Sequence, residues 1–208
     1  MNKAKYIAEY NKNTKRRLFK VLIYISIISF ILGVFYVAVI SKSEQKMIKM
    51  SFDAFFESIK SNQLDSLNMF INNCFSNILV TILVWIFGIS IIGIPISIFY
   101  LISKSFVLGF TISSLIYTYS FKGLVPSLLY CIPFFFNFAI IFILMFYAIN
   151  FSKMLYLHLF KGSDFNLKKK TIVYTKVLLI SVFLLFISAL LSSYLLPILL
   201  KSFTNLFI

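Results

Sequence analysis

Apolar and charged positions alternate along this chain on the scale of whole helices rather than single turns. Uncharged runs occupy 21–41, 66–103, 105–121, 123–152 and 177–200, with 21, 38, 17, 30 and 24 residues. A helix crossing hydrocarbon needs roughly 20 apolar residues, with about 17 as the lower limit, so each run can supply a span. The pattern predicts an all-α polytopic integral membrane protein, a single membrane domain over 1–208 with about five transmembrane helices. The spans are expected at 21–41, 75–102, 105–121, 124–149 and 177–200, with basic segments at 1–20 and 150–176 on one side and a longer segment, 42–74, on the other.

The middle of the chain resists a simple division. Run 66–103 is too long for one helix, and Asn68, Asn72, Asn73 and Asn77 make its start polar, which places the second span from about Phe75. Pro95 removes a backbone donor and crowds the preceding turn. Irregular backbone at membrane depth survives only where protein or a water-filled cavity covers it. The segment between Gly88 and Gly109 therefore has two readings, two full crossings or a broken, re-entrant helix near Pro95.

Between the first two spans a different period takes over. Met47, Ile48, Phe52, Phe55, Phe56 and Ile59 recur at helical spacing, with Lys46, Lys49, Asp53, Glu57 and Lys60 on the opposite face. This predicts an amphipathic helix over 46–60. Such a helix either lies in the headgroup layer or docks a partner. The mixed signs of its polar face favour a partner, and Phe52, Phe55, Phe56 and Ile59 are the candidate contact residues.

Composition agrees with a lipid environment, because 61% hydrophobic and 12% charged residues would leave a soluble domain short of polar surface. The first run, 21 residues long, exceeds a secretory signal core and reads as a retained anchor. A net charge of +14 is compatible with nucleic-acid binding, but the basic residues follow the hydrophobic runs instead of forming one face. With a cytoplasmic N-terminus, seven Lys/Arg in 1–20, six in 150–176 and Lys104 lie inside, against six outside. That is the positive-inside asymmetry. Cys74 and Cys131 have no metal or redox spacing, and they read as small buried hydrophobes.

Trp85, Gly88, Gly93, Pro95 and Gly109 form the most distinctive cluster. Glycines let helix backbones approach closely where lipid tails are as apolar as leucine, so a helix-packing role is expected of these residues, with Trp85 filling a helix junction. Enzymatic chemistry has little to build on. Gly88-Ile89-Ser90 would suit an intramembrane serine nucleophile, yet the sole histidine, His158, lies in the basic segment after the fourth span. The carboxylates Glu9, Glu44, Asp53, Glu57, Asp65 and Asp164 all lie outside the expected spans, so no catalytic residue, metal site or cofactor is expected. Ion-coupled carriers place ionisable groups inside the bundle, and the expected spans carry lysines only at their ends. A transporter with a midplane site at a broken helix is the alternative function.

The stretch Trp85-Ile86-Phe87-Gly88-Ile89-Ser90-Ile91-Ile92-Gly93-Ile94-Pro95, followed by Lys104 and Gly109-Phe110, resembles the stage II sporulation protein M family of endospore-forming bacteria. Span number, length, the basic N-terminus and Pro133 in the fourth span also resemble it, over nearly the whole chain. One departure is visible, since Phe134, Phe135 and Phe136 follow Pro133 before Asn137, where the family tends to be polar. The resemblance implies a non-enzymatic scaffold in the mother-cell membrane, with its N-terminus in the cytoplasm, required for forespore engulfment. It implies as partners, besides membrane lipid, two peptidoglycan-degrading enzymes, a lytic transglycosylase and an amidase/endopeptidase. Homo-oligomers are compatible with this reading.

Overall fold

The structure, a computed structural model, describes residues 3–90, 93–161 and 166–204, so Ile91, Ile92 and Asp164 lie outside the described residues. Among the described residues seven α-helices follow one another: α1 (Lys3–Tyr36), α2 (Lys42–Lys60), α3 (Ser66–Ile89), α4 (Gly93–Tyr119), α5 (Leu124–Lys161), α6 (Leu167–Leu190) and α7 (Leu196–Thr204). A 3-10 turn, Ser120–Gly123, joins α4 to α5, and a π turn, Leu191–Leu195, joins α6 to α7. No strand occurs among the described residues.

Among the described residues, four continuous helical segments are long and apolar enough to cross a membrane: Asn13–Tyr36, Ser66–Ile89, Gly93–Phe160 and Leu167–Ser202. The third has 68 residues. At 1.5 Å per residue a straight helix of that length would reach about 100 Å, far beyond hydrocarbon of about 30 Å. It instead folds back at the 3-10 turn, where Ser120 takes a positive φ of 52°, and α4 and α5 pack side by side. Phe99, Phe121 and Leu179 are among many large apolar side chains left exposed around the bundle, as a lipid-facing surface requires.

Local chemistry explains several helix starts. Ser41 caps α2 through a reciprocal box, its hydroxyl accepting from the Glu44 backbone N–H while the Glu44 carboxylate accepts from the Ser41 backbone. Hydrogen bonds first from the Ser41 hydroxyl and then from its backbone hold Glu44 below the usual carboxylate range. A lowered folded pKa stabilises above the unfolded value, so this part of the cap is present at neutral pH and is lost as pH falls through the lowered value. Asp65 and Asn166 cap α3 and α6 by accepting from the backbone N–H of Asn68 and Lys169.

The expected boundary between the second and third spans, residues 102–105, is corrected. α3 ends at Ile89, Ser90 is extended, and α4 runs unbroken through Lys104. Pro95 stands in the first turn of α4, where a missing N–H costs nothing, so it starts a helix instead of kinking one. The segment 150–176 is also mostly helical, because α5 continues to Lys161 and α6 begins at Leu167.

The core runs along α5, with Leu144, Met145 and Ala148 fully enclosed among Leu22, Val84, Leu101, Tyr174 and Leu185 of its neighbours. α1 packs chiefly on α4, and their partners advance together. Phe30 lies against Gly109, while the Ser113 hydroxyl donates to the Val34 carbonyl at 3.2 Å, so the two helices run parallel.

Candidate functional site

Three structured places emerge, and the Trp85 cluster is divided between two of them. The first is a junction of α3, α5 and α6. Tyr174 is sandwiched between Trp85, centroids 5.9 Å apart, and Phe151, at 4.8 Å, both stacked. Its hydroxyl donates to the Trp85 carbonyl at 3.0 Å. A Cβ on Gly88 would fall on this hydroxyl and crowd Ala148. The Trp85 indole lies against Tyr174 at this contact of α3 and α6, its N–H buried and unpartnered. Gly93 lies beside it, tucked against the Phe87 backbone at the α3–α4 turn, while Pro95 is exposed. The Ser152 hydroxyl donates to the Ser90 carbonyl at 3.3 Å, which sets the helix break next to Lys153, at the basic end of the bundle rather than at its midplane.

Gly109 belongs to a second place, the α1–α4 contact. A Cβ there would meet the Phe30 carbonyl, and one on Gly33 would meet the Phe106 carbonyl, so each glycine receives the other helix's backbone. Gly33 lies outside the Trp85–Gly109 cluster that stands out in the sequence. The signal was present, since Ser29-Gly33 on α1 and Ser105-Gly109-Ser113 on α4 each space small residues by four.

The third place is the opposite end of the bundle, covered by α2. Phe56 and Ile59 are buried against Leu115, Leu196 and Leu200, with Phe52 and Phe55 packed around them. Tyr119 donates to Asp53 Oδ1 at 2.5 Å, and Lys201 Nζ donates to Asn62 Oδ1 at 2.7 Å. The amphipathic helix thus forms, but Phe56 and Ile59 are buried against the chain's own α4 and α7, with Phe52 and Phe55 half-buried beside them. The bundle end thus supplies the apolar surface that covers Phe56 and Ile59. α2 instead exposes Lys46, Lys49, Glu57, Lys60, Met47 and Met50.

The expectation that ionisable groups lie only at span ends is also corrected. Lys104 stands eleven residues into α4, half-buried, with its Nζ 5.6 Å from the centre of the Tyr100 ring. Asn77 of α3 and Asn137 of α5 line the same small cavity. A lone lysine between two apolar runs looks like a connector in the sequence, and only the helix packing reveals it as interior. No group of three or more His, Cys, Asp or Glu that could hold a metal ion occurs among the described residues.

Among known proteins, the family model for stage II sporulation protein M matches residues 22–197, and the chain belongs to that family. No curated protein and no solved structure matches it. The family is not a known enzyme family; membership marks the protein as a sporulation-related membrane protein, in keeping with four described segments long and apolar enough to cross a membrane.

Proposed function

We propose that this member of the stage II sporulation protein M family is a five-span scaffold of the mother-cell membrane that assembles peptidoglycan-degrading enzymes during engulfment. The count of five takes the fold-back at Ser120–Gly123 as a loop between two crossings. The basic end, with Lys15, Arg16, Lys20, Lys153 and Lys170, then faces the cytoplasm, and α2 faces the side where the wall is cut. A cysteine placed at Ser61 will be labelled by an impermeant thiol reagent in intact cells, and one at Lys169 will not, in a background lacking Cys74. Equal or reversed labelling would reject this topology.

The observation that carries the scaffold reading is the pinned α2. Its apolar face is packed onto the bundle, so its outer face is held in place, with Lys46, Lys49, Lys60, Glu57 and two exposed methionines. Methionine adapts to varied partner surfaces, and mixed charge supports complementary pairing with a protein partner. Lys46→Glu/Lys49→Glu should leave accumulation unchanged, abolish co-purification of the lytic transglycosylase and the amidase/endopeptidase, and arrest engulfment. Undiminished co-purification would remove α2 from the partner surface.

A further inference from the structure

Lys104, Tyr100, Asn77 and Asn137 converge at one depth of the bundle. Asn77 lies eleven residues after the start of α3, Lys104 eleven after the start of α4 and Asn137 thirteen after the start of α5. At 1.5 Å per residue these are about 16–20 Å from helix ends, close to the middle of hydrocarbon about 30 Å thick. They line a small cavity of about 50 Å³, together with the apolar side chains of Phe134 and Ile141.

This polar set is incomplete within the protein. The Tyr100 hydroxyl and Asn137 Oδ1 are buried with no hydrogen-bond partner. The amide orientation of Asn137 is interchangeable, so an N–H can occupy the same place. Lys104 faces an aromatic ring rather than a carboxylate. None of the chain's six carboxylates falls in any of the four apolar segments, so the sequence provides no counter-ion at this depth. A cation in hydrocarbon is costly and persists where an opposite charge or a functional ligand compensates it.

We propose that this cavity is a binding site for a small monovalent anion of halide size, coordinated by the Lys104 ammonium, the Tyr100 hydroxyl and the Asn137 amide. The space suits a small ion with at most a few waters, since about 10–15 Å³ of it is enough to hold one water. A lipid phosphate, with its acyl chains, is larger than a space of about 50 Å³. The three donors come from adjacent helices, so an ion there would tie α4 to α5 beside α3.

The test is a thermal unfolding series on the purified, detergent-solubilised protein at constant ionic strength, exchanging sodium gluconate for sodium chloride. Gluconate is too large for the cavity. The wild-type melting temperature should rise by about 3 °C as chloride saturates. Lys104→Met should be at least as stable as wild type in gluconate, because it removes an uncompensated charge, and should lose the chloride response. Asn137→Leu should shift the chloride midpoint upward by about tenfold, and it serves if Lys104→Met does not accumulate. A wild-type curve identical in both salts would mean that the cavity holds water only, and would overturn the site.

Discussion

Gly109→Leu will abolish stable accumulation of the protein, and Gly109→Ala will already reduce it. The glycine lies against the Phe30 carbonyl of α1, so even a Cβ collides with backbone, which cannot turn aside as a side-chain tip can. Gly33→Ala will do the same from the other helix, against the Phe106 carbonyl. Overpacking typically costs about 1–3 kcal/mol, and a leucine at a backbone contact belongs at or above the upper limit. Few other contacts can compensate, because α1 rests on the bundle chiefly through α4. Helices in lipid also have no hydrophobic drive to hold them together once packing is lost. Gly88→Ala makes the informative comparison, since its Cβ meets the Tyr174 hydroxyl and the Ala148 methyl, side-chain atoms rather than the backbone of another helix. The ranking is read by quantifying a tagged protein in membranes. Wild-type levels of Gly109→Leu would mean that α1 and α4 are not in backbone contact.

Phe56→Ala will release α2 while the spans stay folded. Phe56 is only 2% exposed and sits on Leu115, Leu196 and Tyr119, with its ring 5.6 Å from that of Tyr119. Truncating a buried phenylalanine costs about 3–5 kcal/mol. Here, unlike within hydrocarbon, the released face would meet water or headgroups, so the transfer term applies in large part. Amide hydrogen exchange across 42–60 should accelerate by about 100-fold or more, with protection in α4 and α5 retained. If exchange in α2 is unchanged, the helix is held by the Asp53–Tyr119 and Asn62–Lys201 bonds instead, and Asp53→Ala would become the releasing change. The same variant separates two roles of the helix. A detached α2 that still retains wall enzymes would require only its outer charges, whereas loss of both would tie recognition to its fixed placement.

Much of this architecture is written in the order of residues. The absence of charge over long runs determines that the chain lives in lipid, since no tertiary arrangement could shelter so much apolar surface from water. The period of 46–60 determines an amphipathic helix, and the cluster around Trp85 identifies the family. Helix ends were harder to place. Lys104 looks like a boundary because a charge usually marks the water, whereas the boundary is set by the Ser90–Gly93 turn with Pro95 in the first turn that follows.

What tertiary structure alone decides is which surfaces meet. The apolar face of α2 has the same sequence whether it covers lipid, a partner or its own bundle, and the free ends of α4, α5 and α7 settle the matter by being nearest. Gly33 and Gly109 are seventy-six residues apart in the chain. Their pairing depends on α1 and α4 running parallel, which the turns between them determine and no local pattern encodes. The midplane cavity is the same case, because one lysine, one tyrosine and two asparagines on three helices become a site only when packing brings them to one depth.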